Sequence, residues 1–189
     1  MEVFILNQLA TTQQDILNIS KKYILQNGIA SFNIRSIAAE CNISVGTIYN
    51  YFPSKTRLIV ATVENVWSEI FEPLNDLISF ERFDEAFRCM FETIKSGNLK
   101  YPEFFSMHSL NFASSQKKEG MLMMDTYFSQ LKEKLLFVLK KDESIQRNRF
   151  TTHLTEEKFI DYVFTLLISS LLNKEDSTPL LEFIKTFIY

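Results

Sequence analysis

Glycine and proline are scarce in this sequence, with four of each in 189 residues. So few turn formers suit a β-sandwich or barrel badly, and the pattern points instead to long helices. Cysteine is scarcer still: Cys41 and Cys89 stand far apart and make neither a disulfide framework nor a zinc-ligand spacing, as expected in a reducing compartment. The two histidines, His108 and His153, have no glycine-rich phosphate cradle, metal-ligand cluster or nucleophile motif beside them. That leaves no basis for catalysis, and the expectation is a protein that is not an enzyme and carries no cofactor or metal. No apolar run reaches membrane-spanning length. Residues 1–9 include the apolar stretch 3–6 but lack a basic flank and a long apolar core. Neither a secretory leader nor a membrane partner is therefore expected, and the expected location is the cytoplasm.

What the chain has in quantity is apolar bulk. Hydrophobic residues make up 46%, with 18 Phe and 6 Met, while 23% are charged, a balance that can fill a core and remain globular. The net charge of −3 is unevenly spread. Lys21, Lys22, Arg35, Lys55 and Arg57 outnumber Glu2, Asp15 and Glu40, giving residues 1–60 a charge of +2 and the remainder −5. An acidic body with a mildly basic N-terminal part is compatible with DNA contact at one end.

That part reads as a series of short capped helices. Thr12 and Asp15 form a capping box ahead of Ile16, Ile19, Tyr23 and Ile24, and Gly28 closes the helix. Asn33 caps a second helix over 34–41, with Ile34, Ile37, Ala38 and Cys41 on one face. Asn42 tolerates a left-handed turn, and Ser44 caps a third helix over 45–51 that stops at Pro53. Two short helices joined by 42–44 make a helix-turn-helix. In the second of them Ile48 and Phe52 face inward, leaving Thr47, Tyr49, Asn50 and Tyr51 to offer hydroxyls, an amide and flat rings. Such groups bond phosphates and base edges when a helix enters the major groove.

The run Ile37-Ala38, then Ile43 through Phe52, then Ser54-Lys55 and Leu58 resembles the signature of the tetracycline-repressor (TetR) family of bacterial transcription regulators over about residues 16–58. The resemblance implies that the helix starting at Val45 enters the major groove, that Lys55 binds a backbone phosphate and that Arg35 reaches a base or phosphate. The candidate DNA-binding set is Asn33, Arg35, Val45, Gly46, Thr47, Tyr49, Asn50, Tyr51 and Lys55, with Gly46 acting by letting the backbone approach. Two departures from the family pattern keep the local chemistry: Asn42 stands where Gly is common, and Asn33 where Thr is. A third does not. The stretch 11–15, Thr-Thr-Gln-Gln-Asp, lacks the basic residues common there, so fewer counterions would be released on binding.

Beyond residue 54 a long helix carries Ile59, Val63, Val66, Ile70 and Leu74 as one seam, ending near Phe71 because of Pro73. Further helices are expected over 83–96 closed by Gly97, 102–113, 121–141, 156–173 after Thr155 and 179–189 after Thr178, with 140–149 as a mobile loop. The last two helices are apolar nearly all round, which suits either a four-helix homodimer interface, as the resemblance implies, or a larger internal core. Phenylalanine and methionine concentrate in residues 104–128. The resemblance implies an effector cavity there, with candidate ligand residues Phe104, Phe105, His108, Phe112, Met124, Tyr127, Phe128 and Phe164; a well-filled core is the bland alternative.

The expectation is therefore an all-α chain: an N-terminal three-helix helix-turn-helix DNA-binding domain, 1–54, joined to a larger C-terminal helical effector-binding and dimerisation domain, 55–189. Its partners would be double-stranded DNA with a near-palindromic operator, a second copy through the last two helices, and a small hydrophobic effector that releases a repressor. The alternative is a helix-turn-helix regulator controlled by a protein partner with no small-molecule ligand.

Overall fold

The computed structural model describes residues 11–102, 104 and 114–189, with the backbone alone over 114–123. Residues 1–9, Phe105, Met107, His108, Phe112 and almost all of the helix expected over 102–113 lie outside that range. The described residues are helical with no strand, in two compact units, Met1–Val66 and Trp67–Tyr189.

The first unit holds α1 (Gln13–Asn27), α2 (Ile34–Glu40), α3 (Val45–Tyr51) and the start of α4 (Lys55–Phe71). Each short helix has its start fixed by a side chain. Thr12 accepts from the Asp15 amide at 3.2 Å while the Asp15 carboxylate accepts from the Thr12 amide at 2.8 Å. The Thr12 hydroxyl, which also donates to that carboxylate at 2.7 Å, is the larger cause and the Thr12 amide the smaller in holding the Asp15 carboxyl below its usual value. Asn33 accepts from the Arg35 amide at 2.9 Å, and Ser44 from the Thr47 amide at 3.0 Å. Helices of seven residues do not persist alone. Burial holds them: Ile16, Ile24, Phe32, Ile37, Ala38, Ile48 and Phe52 form the core of this unit, and each large side chain contributes about 1.5–3 kcal/mol. Asn42 takes φ 54, the left-handed turn between α2 and α3. Gly28 has φ 74 and ψ 157, an extended positive-φ conformation essentially reserved for glycine, rather than the left-handed helical cap expected of it.

The second unit contains the end of α4, a 3-10 segment at Glu72–Ser79, α5 (Phe83–Lys100), α6 (Ser114–Lys141), a 3-10 turn at Arg147–Arg149, α7 (Glu156–Leu172) and α8 (Ser177–Ile188). Pro73 does end α4 at Phe71, and the chain continues in the tighter 3-10 form. Phe83, Phe87, Met90, Phe91 and Ile94 bury one side of α5, which packs on α6, α8 and the 3-10 segment.

Four sequence expectations differ here. Gly97 does not close α5 but lies inside it, where a Cβ would stand 2.6 Å from Ile70 Cγ2. The helix expected from 121 starts at Ser114. Asp176, not Thr178, caps α8 by accepting from the Thr178 amide at 2.8 Å, which places Thr178 and Pro179 in the first turn. The segment expected to be a mobile loop is fastened. Helix α6 runs through Lys141, Asp142 and Ile145 are buried, and the Gln146 amide donates to the Ile188 carbonyl at 2.8 Å. Arg147 reaches Glu156 at 2.7 Å and the Asp142 carbonyl at 2.9 Å.

Asp142 is the centre of that fastening. Its carboxylate accepts from the Phe83 amide at 2.9 Å, the Ser144 amide at 3.0 Å and the Tyr189 hydroxyl at 2.7 Å. Burial pushes the Asp142 carboxyl up, but the bonds from Ser144, Phe83 and Tyr189 outweigh it and leave the group below its usual value. Burial pushes the Tyr189 phenol up, as do the carboxylates of Asp142 and of Asp84, the latter 3.0 Å from the hydroxyl.

Candidate nucleic-acid interface

Of the seven residues of α3, Ile48 alone is buried. Val45 and Thr47 are half-buried, while Gly46, Asn50 and the rings of Tyr49 (45% exposed) and Tyr51 (42%) stand outward. The outward arc follows from the single apolar anchor. Once Ile48 and the cap Phe52 are fixed in the core, helical geometry leaves the residues between them no inward direction.

The groups are not equally available. The Tyr51 hydroxyl donates to the Thr11 carbonyl at 3.0 Å, so it ties α3 to the residue before α1 while its ring remains exposed. The Thr47 hydroxyl lies 2.9 Å from Ser44 Oγ and shares a hydrogen bond with the cap. The Asn33 side-chain oxygen is engaged in capping α2. Arg35, on the first turn of α2, and Lys55, at the start of α4, are exposed, and neither pairs with a carboxylate among the described residues. Lys22, by contrast, is held by Glu40 at 2.9 Å. A Cβ on Gly46 would touch nothing closer than Ser44 Oγ at 3.5 Å, so the fold itself does not demand glycine there.

A sequence model described as "Bacterial regulatory proteins, tetR family" matches residues 16–62, the stretch that carries α1, the helix-turn-helix and the beginning of α4. That N-terminal stretch matches the TetR family. The chain is 29% identical over 121 residues to the HTH-type transcriptional regulator YuxN of Bacillus subtilis, covering 64% of this chain and 39% of that protein. The chain spans about two fifths or less of the length of the curated relatives it matches. In fold it is similar to the fatty acid degradation regulator FadR from Bacillus halodurans, with 16% identity and TM-score 0.65 over 88% of this chain and 89% of that one. It is likewise similar to a TetR transcriptional regulator from Legionella pneumophila, with 21% identity and TM-score 0.62 over 95% and 98%.

The candidate ligand residues fall in the second unit, and the structure separates them. Phe105, His108 and Phe112 lie outside the described residues. Phe128 meets Phe164 edge to face at 5.1 Å, lining an open groove of about 360 Å³ between α6 and α7. Tyr127 instead packs on Trp67 and Phe71, at ring separations of 6.3 and 5.1 Å. Phe104 and Met124 are buried, with Phe104 edge to face on Tyr101 at 6.1 Å. No described helix is long and apolar enough to cross a membrane, and no metal-binding group of His, Cys, Asp and Glu occurs among the described residues.

The last two helices turn part of their apolar surface outward. Tyr162 (60% exposed) and Leu166 stand outward one turn apart on α7, Leu172 (70%) is exposed at its last residue, and Phe183 (55%) stands out from α8. Other apolar residues of these helices are used internally: Phe187 stacks on Phe159 at 5.3 Å.

Proposed function

We propose that this chain is a sequence-specific DNA-binding transcriptional regulator, a repressor released from its operator by a small effector. The polarity of α3 carries the reading: one buried residue, and an outward arc of hydroxyl, amide and aromatic groups flanked by two cations that pair with no carboxylate among the described residues. In this reading residues 1–54 form the DNA-binding domain and 55–189 the effector-binding and dimerisation domain. Tyr49, Asn50 and the Tyr51 ring meet base edges or phosphates, with Val45 and Thr47 at the edge of the contact. Gly46 lets the backbone close on the duplex, while Arg35 and Lys55 bind phosphates. Asn33 acts chiefly through the cap that presents Arg35.

A second copy docks through the outward apolar residues of α7 and α8. The pair then places two α3 helices in successive major grooves of a near-palindromic operator, about 34 Å apart. Phe104, Met124, Tyr127, Phe128 and Phe164 are the described members of a small hydrophobic effector's site. Such an effector releases the operator only by binding the DNA-incompetent conformation more tightly. Control by a protein partner gains little support, since the exposed Ile78, Leu99 and Phe137 sit on three different elements.

A mobility-shift titration with DNA upstream of the chain's own gene tests this reading. Tyr49→Ala and Lys55→Ala are each expected to weaken the shift at least tenfold while the sedimenting mass remains that of two chains. An undiminished shift in both variants, or a single-chain mass throughout, refutes it.

A further inference from the structure

A crevice in the second unit differs from the aromatic cluster in both place and chemistry. It encloses about 240 Å³ and lies where the last turn of α4 passes into the 3-10 segment against one face of α6. From α6 come Tyr127, Gln130, Leu131 and Lys134, spaced i, i+3, i+4 and i+7 and hence on one side of the helix. Phe128 and Ser129, which line the aromatic groove, point from the other flank. The floor is apolar, made of Phe71, Leu131 and the ring of Tyr127. The walls are polar: Ser68, Glu72, Asn75, Gln130 and Lys134.

Lys134 sets the charge. Its Nζ donates to the Leu74 carbonyl and to Asn75 Oδ1, both at 3.1 Å, and no carboxylate pairs with it among the described residues. An ammonium has three N–H donors, so one remains. Asn75 has spent its oxygen on Lys134, which leaves its NH2 as a donor, and Ser68 and Gln130 add a hydroxyl and an amide. A half-buried cation held in place by neutral acceptors, with further donors around it, suits an anion. The one carboxylate in the wall, Glu72, opposes a multiply charged anion but accepts a hydrogen bond from a hydroxyl or ammonium group.

The geometry points to a binding site for a small carboxylate bearing a hydroxyl or amino group. Its carboxylate meets Lys134 and Asn75, and its second group meets Glu72. The pocket is below the usual 300–1,000 Å³ of ligand cavities, which limits the ligand to a few carbons. Ser68 and Phe71 belong to α4, the helix that begins in the first unit, so a ligand here bears on that helix directly.

Calorimetric titration of the intact protein in the absence of DNA, with D-glycerate, alanine and propionate, tests the site. D-glycerate or alanine is expected to bind at least fivefold more tightly than propionate. Lys134→Met lowers that affinity at least tenfold, and Lys134→Arg restores part of it. Because Lys134→Met also removes a bond to the Leu74 carbonyl, Glu72→Gln at an exposed position supplies an independent arm: it removes the negative charge that attracts an ammonium and opposes a carboxylate, so propionate binds more tightly and the preference for alanine over propionate is lost. Absence of heat with all three carboxylates, unchanged affinity in Lys134→Met, or an unchanged preference in Glu72→Gln overturns the assignment. Loss of the operator mobility shift is a separate outcome that concerns the DNA-binding reading alone.

Discussion

Replacing Gly97 by alanine sets two effects of known size against each other. In the interior of an α-helix alanine is favoured over glycine by about 1 kcal/mol, so on propensity alone the change stabilises. The added Cβ would lie 2.6 Å from Cγ2, 3.0 Å from Cγ1 and 3.3 Å from Cβ of Ile70, whereas carbons pack at about 3.5–4.0 Å. These atoms sit at the root of a buried, β-branched side chain with one strongly preferred helical rotamer, so the clash cannot be relieved by swinging a flexible tip. Overpacking of this kind costs about 1–3 kcal/mol. The clash therefore equals or exceeds the gain, and Gly97→Ala is expected to destabilise by up to about 2 kcal/mol in urea unfolding, with the m-value unchanged. The decisive arm is a double-mutant cycle. Ile70→Ala alone costs about 2–5 kcal/mol through its cavity. In that background the two γ carbons are gone and only the Cβ of residue 70 remains beside the Gly97 methyl, at 3.3 Å, so most of the clash is removed and the second change is expected to stabilise by up to about 1 kcal/mol. A Gly97→Ala protein more stable than the parent, or an effect of the same sign and size in both backgrounds, refutes the argument.

Two further outcomes follow from charge. Asp142 carries a lowered carboxyl pKa, so its stabilising contribution is complete above the ordinary value of 3.8 and disappears as pH falls through the lower folded value. Asp142→Asn is expected to cost about 1–3 kcal/mol at pH 7, and the difference from the parent in thermal unfolding should narrow below about pH 4; a gap independent of pH argues against the assignment. With Arg35 and Lys55 as the phosphate-binding cations of each copy, a dimer neutralises about four phosphates, and log K for operator binding should fall with log salt at a slope of about −4. A slope steeper than about −6 in a salt titration means that other cations carry the interface.

The N-terminal unit was legible because its signals are local. Thr12 with Asp15, Asn33 and Ser44 each cap within three residues of themselves, and Asn42 needs only its own backbone to turn, so spacing along the chain was sufficient. The outward placement of Tyr49 and Asn50 followed from one buried isoleucine. What escaped depends on partners distant in sequence. Nothing near Gly97 reveals that Ile70 fills the space beside it, and a glycine near a helix end mimics a cap. Residues 140–149 read as a loop because they are polar, but their charges meet Phe83, Glu156 and Tyr189, brought up by folding. The Tyr51 hydroxyl was assigned outward, yet its acceptor is the Thr11 carbonyl, 40 residues away. Among the candidate ligand residues, Phe128 and Phe164 do meet, while Tyr127, one residue earlier and so about 100° around the helix, packs on Trp67 and Phe71 instead.

The division of α4 gives the polar crevice its interest. The helix runs unbroken from Lys55 to Phe71, while the boundary between the compact units falls between Val66 and Trp67. Ser68 and Phe71 lie in the last part of that helix, on the second unit's side of the boundary. The stop at Phe71 matters equally. Pro73 ends the α-helical hydrogen-bond pattern and the 3-10 segment begins, so the crevice sits where a rigid rod gives way to a tighter and less regular one. A ligand there does not need to be large or tightly bound to matter. It needs only to prefer one arrangement of that junction over another, and each tenfold preference moves the balance between the two arrangements by about 1.4 kcal/mol.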